Sequence, residues 1–248
     1  MMHVDPSVHS STLSASSSSV QIGDGSYSQG DLYLECLLPK VIMHRERSRG
    51  GHRKLPHRPS QSPSSSSLDT EAEDDSVEVV PLAEHPAVLQ AQAECQALLN
   101  GNEVTILEDG DVKEEVVQIL GHEAQLVFPC RNIFRYVVLF IKNLEQFFEF
   151  QVEILDDKQE YRTFKATNAR SLARIDASTC QLPLMLGQSE GWRYLCMDLQ
   201  DLTARAFGSK HVTTTHLKIG SNCRLLRVYF QDERYFDREL PPHLTFLG

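Results

Sequence analysis

The one short pattern in this chain that could support covalent chemistry is Gly187-Gln-Ser-Glu-Gly191, which matches the G-x-S-x-G elbow of serine hydrolases. That chemistry needs the serine on a sharp strand-to-helix turn, with a carboxylate and then a histidine downstream to activate it. A strand-like run precedes Ser189, but Trp192 to Met197 reads as a second strand, so the serine falls in a polar loop between strands. His211, His216 and His243 follow, and none carries a motif that places it beside Ser189. Metal chemistry fails on ligand supply. The sequence has no C-x-x-C, no H-E-x-x-H and no EF-hand loop, and His211 with His216 makes two donors where a site needs three or four. No Gly-rich phosphate loop follows a strand. Asp156-Asp157 and Asp232-Glu233 lie in turn-like sequence, where carboxylates serve turn geometry and solubility. The reading is therefore of a protein that is not an enzyme, with no catalytic, cofactor-binding or metal-binding residues and no cofactor.

Binding chemistry has a better basis. Lys165, Arg227 and Tyr229 are read as pointing outward from their strands, where they would suit an acidic protein surface. They are the candidate partner contacts. The chain carries a formal net charge of −10, but unevenly. From Val112 to Gly248 there are 17 Lys and Arg against 17 Asp and Glu, so all of the excess lies in residues 1–111, with 7 against 17. A neutral body disfavours nucleic acid, whose binding draws on phosphate neutralisation. No apolar run approaches the ~20 residues that cross a bilayer, so no membrane partner is expected. Met1 to Val20 is polar and lacks the apolar core of a secretory signal. The six cysteines have no framework spacing, which fits free thiols in a reducing compartment.

The elements that must position these residues begin late. Residues 1–76 read as a disordered arm, because the serine tracts Ser10–Ser19 and Ser60–Ser67 bury too little to offset the entropy of ordering. Inside this arm, Leu32 to Leu38 is an apolar patch that reads equally as a strand or a docking segment. A basic run from Lys40 to Arg58 reads as a solvated tail, a nuclear localisation signal or an electrostatic arm. An acidic run, Asp69 to Asp75, follows. Residues 77–99 form a linker with a short helix over Pro86–Leu99, where Val88, Ala91, Cys95 and Leu98-Leu99 recur near helical spacing.

From about residue 100 the period changes to two. In Glu149-Phe-Gln-Val-Glu-Ile154, Phe150, Val152 and Ile154 face one way while Glu149, Gln151 and Glu153 face the other. Tyr136 to Ile141 is apolar on both faces, as a central strand would be. Tyr161–Ala166 returns from the turn at Asp156-Asp157-Lys158 to make a hairpin. Pro183 marks Cys180–Leu186 as an edge or bulged strand. One short helix near 198–207 has Asp198 or Asp201 as its cap and Gly208 as its stop. In Arg224–Phe230, alternation puts Leu226, Val228 and Phe230 on one face and Leu225, Arg227 and Tyr229 on the other. Many short strands and one helix give an all-β fold, a jelly-roll-like β-sandwich over 100–248 behind a disordered N-terminal arm.

Several stretches in this span resemble the cilia- and flagella-associated protein twenty family: Phe140–Lys158, Phe164-Lys-Ala-Thr-Asn168, Gly191-Trp192, Leu199–Gly208, Ser221–Phe230 and Asp232–Pro241. A further match, Ile106–Val112, resembles the family's early strands. The stretches follow in the family's order. The resemblance implies a β-sandwich without catalytic activity, in a structural protein of the axoneme of motile cilia and flagella. That protein type lies at the inner junction of doublet microtubules, so the implied partners are tubulin and neighbouring axonemal proteins. The implied location is the axonemal cytoskeleton, extending to the basal body. The alternative is a soluble nuclear or cytoplasmic adaptor that uses the sandwich and the charged arm to bind proteins. The family opens with aromatic-rich strands, and this chain does not. Either the patch at Leu32–Leu38 replaces the opening strand or that strand is lost.

Overall fold

The computed structural model describes residues 26–29, 32–38, 81–98, 101–186 and 191–245. The basic and acidic runs and the serine tracts lie outside these residues, as do Gln188 and Ser189. Within the stretch read as an arm, two strands are described: β1 (Ser26–Gln29) and β2 (Leu32–Leu38), paired antiparallel. The apolar patch is thus a strand.

Helix α1 (Pro86–Ala97) follows, one turn shorter at its end than the apolar spacing suggested. Pro86 occupies the first turn, where its missing N–H costs nothing, and His85 Nδ1 accepts from the Ala87 amide at 3.3 Å. Then come β3 (Glu103–Asp109), β4 (Glu114–Leu120), β5 (Leu126–Asn132), β6 (Tyr136–Asn143), β7 (Glu149–Asp156), β8 (Tyr161–Thr167), β9 (Arg174–Ile175), β10 (Thr179–Pro183) and β11 (Trp192–Asp198). Helix α2 (Leu199–Phe207) interrupts the strands before β12 (His211–Ile219) and β13 (Cys223–Gln231) close the fold. Asp198 caps α2 by accepting from the Asp201 amide at 3.0 Å, and Gly208 ends it in the left-handed conformation at φ 59°. Both ends are where the sequence puts them.

The strands form two sheets. One has the order β5-β12-β7-β8-β10-β9, antiparallel except for β8 and β10, which run parallel. Pro183 ends β10 near this sheet's edge. The other sheet has seven strands around β13. Along one side β13 pairs with β6, which carries β11. Along the other it divides: Cys223–Leu225 pair with β4, which carries β3, and Val228–Gln231 pair with β2, which carries β1.

The core fills the space between the sheets. Val117, Ile119, Val137, Leu139, Ile141, Leu225, Val228 and Phe230 from one face meet Leu126, Phe128, Phe150, Val152, Ile154, Phe164, Leu217 and Ile219 from the other. Strict alternation in β7 produces this burial, and β7 shows it at every residue. Helix α1 packs on the edge strands β3 and β5 and inserts Val88, Ala91 and Cys95 into the same core. A second, smaller cluster sits on the outer face of the seven-stranded sheet. There Leu240 and Leu244 of the C-terminal segment cover Leu34, Val138 and Tyr229. This explains why Tyr136–Ile141 is apolar on both faces: Val137, Leu139 and Ile141 serve one core and Val138 the other.

The β7–β8 hairpin is locked by one carboxylate. Asp156 is fully buried and accepts from the amides of Lys158 and Glu160, each at 2.9 Å, and from Arg162 Nε at 3.0 Å. Arg162 in turn donates to the Ala177 carbonyl and lies over the Phe207 ring, 4.8 Å from its centre. Burial alone would raise the Asp156 pKa, but these donors hold it down at about 2. The folded pKa lies below the ordinary 3.8. The stabilisation is therefore complete above that value and lost as pH falls through about 2. Asp156→Asn should remove this acid-sensitive component and, by leaving Arg162 buried without its counter-charge, lower stability by about 3–5 kcal/mol at neutral pH. Denaturant melts at pH 7, 4 and 2.5 check both expectations, and equal pH profiles for variant and wild type would refute them.

Candidate interaction surface

Of the three candidate contacts, the structure keeps Lys165 at the surface and buries the other two. Lys165 lies on the outer face of the six-stranded sheet, half-buried, with Nζ 2.8 Å from Glu149. Arg227 and Tyr229 are each 0% exposed. The expectation that they point into solvent is corrected for two physical reasons. First, β13 carries a bulge between Leu225 and Arg227 in its pairing with β6. One extra residue shifts the alternation, so Leu225 shares the inner face with Val228 and Phe230, while Arg227 and Tyr229 take the outer face. Second, that outer face is roofed by the C-terminal segment. Nothing in the local pattern of β13 signals either event.

Arg227 is held by three acceptors. Nη2 donates to Glu114 Oε2 at 2.5 Å and to the Thr245 carbonyl at 3.3 Å, and Nη1 donates to the Leu226 carbonyl at 2.9 Å. Burial pulls its pKa below the ordinary guanidinium value, and Glu114 opposes that pull. Its role is to fasten β13, β4 and the C-terminal segment. Truncating Glu114→Ala strands a buried charge and should cost about 3–5 kcal/mol, whereas Arg227→Met, which removes the charge itself, should cost far less. Chemical denaturation of the two variants checks the order, and a reversed order would refute it.

The residues around Lys165 form a transverse row that single-strand reading did not find. Paired residues across all six strands are Val127, Lys218, Gln151, Lys165, Gln181 and Arg174. Cations and amides alternate, so successive cations stand two strands apart, at about 10 Å from the strand spacing. Carboxylates flank the row. Glu149 pairs with Lys165, Asp176 lies 3.1 Å from Arg174, and Glu153 adjoins His216 at 3.0 Å. The signal was present as alternation in β8 and β12, but the row exists only once register is known.

The opposite outer face carries a second row: Gln118, Arg224, Lys142 and Trp192 on β4, β13, β6 and β11. Asp109 anchors it. Its buried carboxylate accepts from Arg224 Nη1 at 2.6 Å and Trp192 Nε1 at 3.2 Å, with Lys142 Nζ at 3.7 Å. Burial would raise the Asp109 pKa, but Arg224 and these other donors bring it below the ordinary carboxylate value. Trp192 stacks on Phe140 with ring centres 5.5 Å apart. The two faces point in opposite directions, so Lys165 does not share a surface with Arg227 and Tyr229.

The remaining chemistry-bearing residues are absorbed by the fold. His216 bonds Glu153, while His211 bonds Thr214 Oγ1 at 3.0 Å with its pKa lowered by burial to about 4. His243 is buried. Gly191 leads directly into β11, and Asp156 and Asp232 serve turns, Asp232 accepting from the Tyr235 hydroxyl at 2.6 Å. Among the described residues, no group of three His, Cys, Asp or Glu side chains is placed to hold a metal ion.

Comparison with known proteins gives these surfaces a setting. Residues 88–247 match the family model of the CFA20 domain. Cilia- and flagella-associated protein 20 of Paramecium tetraurelia is 35% identical over 145 residues, covering 55% of this chain and 75% of that protein. The protein of the same name from Chlamydomonas reinhardtii is 33% identical over 144 residues, 54% of this chain and 75% of its own. That from Caenorhabditis elegans is 33% identical over 151 residues, 57% and 73% respectively. The matched span holds both sheets apart from the β1–β2 hairpin, and with two-thirds of its length and the bulk of its sandwich inside that span, the chain belongs to the CFA20 domain family.

Proposed function

We propose that this chain is a non-enzymatic structural component of cilia or flagella that binds axonemal doublet microtubules at or near the inner junction. The similarity across 88–247 to cilia- and flagella-associated proteins of a ciliate, an alga and a nematode carries this reading. It is supported by the broad outer face of the six-stranded sheet, where Lys218, Lys165 and Arg174 stand in one row. A row of spaced cations between amides suits an acidic protein lattice such as the surface of tubulin. Each cation is already near a carboxylate, so contact would rest on many weak, salt-sensitive pairings repeated along an array.

A tagged copy expressed in a ciliated cell should remain with doublets when the membrane and soluble matrix are extracted by detergent. Recovery wholly in the soluble fraction would overturn the proposal. The triple variant Lys165→Gln, Arg174→Gln and Lys218→Gln should melt within a few degrees of wild type, since exposed pairs contribute little. Its axoneme-bound fraction should fall several-fold. Unchanged retention would show that another face makes the contact.

A further inference from the structure

Strand β2 completes the seven-stranded sheet from outside the family domain. The family match begins at residue 88, and β2 ends at Leu38. Yet β2 covers the Val228–Gln231 edge of β13, which lies well within the matched span. Without β2 those backbone groups would form an open strand edge. The seats of Leu34, Leu37 and Leu38, each 8% exposed or less, would also be empty.

The fit is good in shape and poor in polarity. Buried polar atoms with no hydrogen-bond partner in reach gather at this seat: Glu35 Oε2, Asn132 Nδ2, Arg227 Nε, Tyr229 Oη and both amide atoms of Gln231. Glu35 is paired with Phe230 in register, and burial raises the pKa of its carboxyl. An unpartnered buried polar group costs stability. Three leucines must therefore offset that cost and the ordering of a hairpin. A strand held on such terms exchanges readily. Residues 39–80 separate β2 from the chain at Pro81, and this many residues can span about 140 Å when extended, more than the width of the domain.

We propose that the Val228–Gln231 edge of β13 is a strand-acceptor seat, and that the β1–β2 hairpin of one copy of this chain docks on β13 of a second copy. The seat cannot distinguish its own hairpin from an identical one, and the connecting length lets either reach it. This is domain exchange at an edge that the family domain leaves open. Copies would then be linked through a segment that the matched domain does not contain.

Leu34 and Gln231 are register partners on the same face, at a separation a disulfide can bridge. Full-length Leu34→Cys and Gln231→Cys variants, each with a different tag, are mixed and oxidised. Only a hairpin docked on a second copy can join them through these positions. We expect a heterodimer several-fold above the level that wild-type mixtures give through their native thiols. The double variant, oxidised in dilute solution, should form the internal link. A linked double variant with no heterodimer in the mixture would overturn exchange between copies. Failure of both would overturn the seat itself. Hydrogen exchange on the unmodified chain guards against misfolded variants. Amides of Leu34–Leu38 should exchange at least about tenfold faster than those of Val137–Ile141, and equal protection would refute a releasable strand.

Discussion

Strand β13 has three hydrogen-bonded neighbours, and the molecule is organised by how it divides between them. It keeps β6 along one side and splits the other between β4 and β2. A strand so placed is buried on both faces, which is why Cys223 to Gln231 exposes almost nothing despite two arginines and a glutamine. The bulge at Leu226 makes the division possible. Extra twist at a bulge lets one strand serve two neighbours that diverge from each other. The inner half of β13 then packs against the six-stranded sheet, and the outer half takes the C-terminal segment as a roof.

Buried carboxylates fix the places where these layers meet. Asp156 holds the β7–β8 hairpin to the end of α2, Asp109 holds three strands of the seven-stranded sheet in line, and Glu114 neutralises Arg227 beneath the C-terminal segment. Each gathers donors from elements far apart in sequence, so each converts local turn or strand geometry into tertiary constraint. The surface cations have a different character. Lys165, Lys218 and Arg174 are spaced by strand pairing and remain accessible, which is what a contact surface requires.

Legibility in the sequence followed the range of the determining interaction. Alternation in Glu149–Ile154, the double-faced run at Tyr136–Ile141, the Asp198 cap and the Gly208 stop are local signals, and the structure carries all four. Pro183 marked a strand end near a sheet edge, but the parallel pairing of β10 with β8 depends on a connection that no local pattern encodes. Leu32–Leu38 was visible as an apolar patch, while its place beside β13 rests on a contact across nearly two hundred residues. Arg227 and Tyr229 show the cost of extending alternation through a bulge. Lys165 was found because its strand is regular, and its companions in the row were not, because a row belongs to a sheet rather than to a strand.

The bulge at Leu226 also governs which sequence changes this fold can tolerate. Its extra residue sets the phase of everything after it in β13. Deleting one residue there would turn Arg227 and Tyr229 into the space between the sheets and push Val228 and Phe230 towards the C-terminal roof. A conservative exchange at Leu226 leaves that phase intact. For this strand, then, the count of residues is under tighter control than their identity, and an insertion or deletion is a graver change than any single replacement.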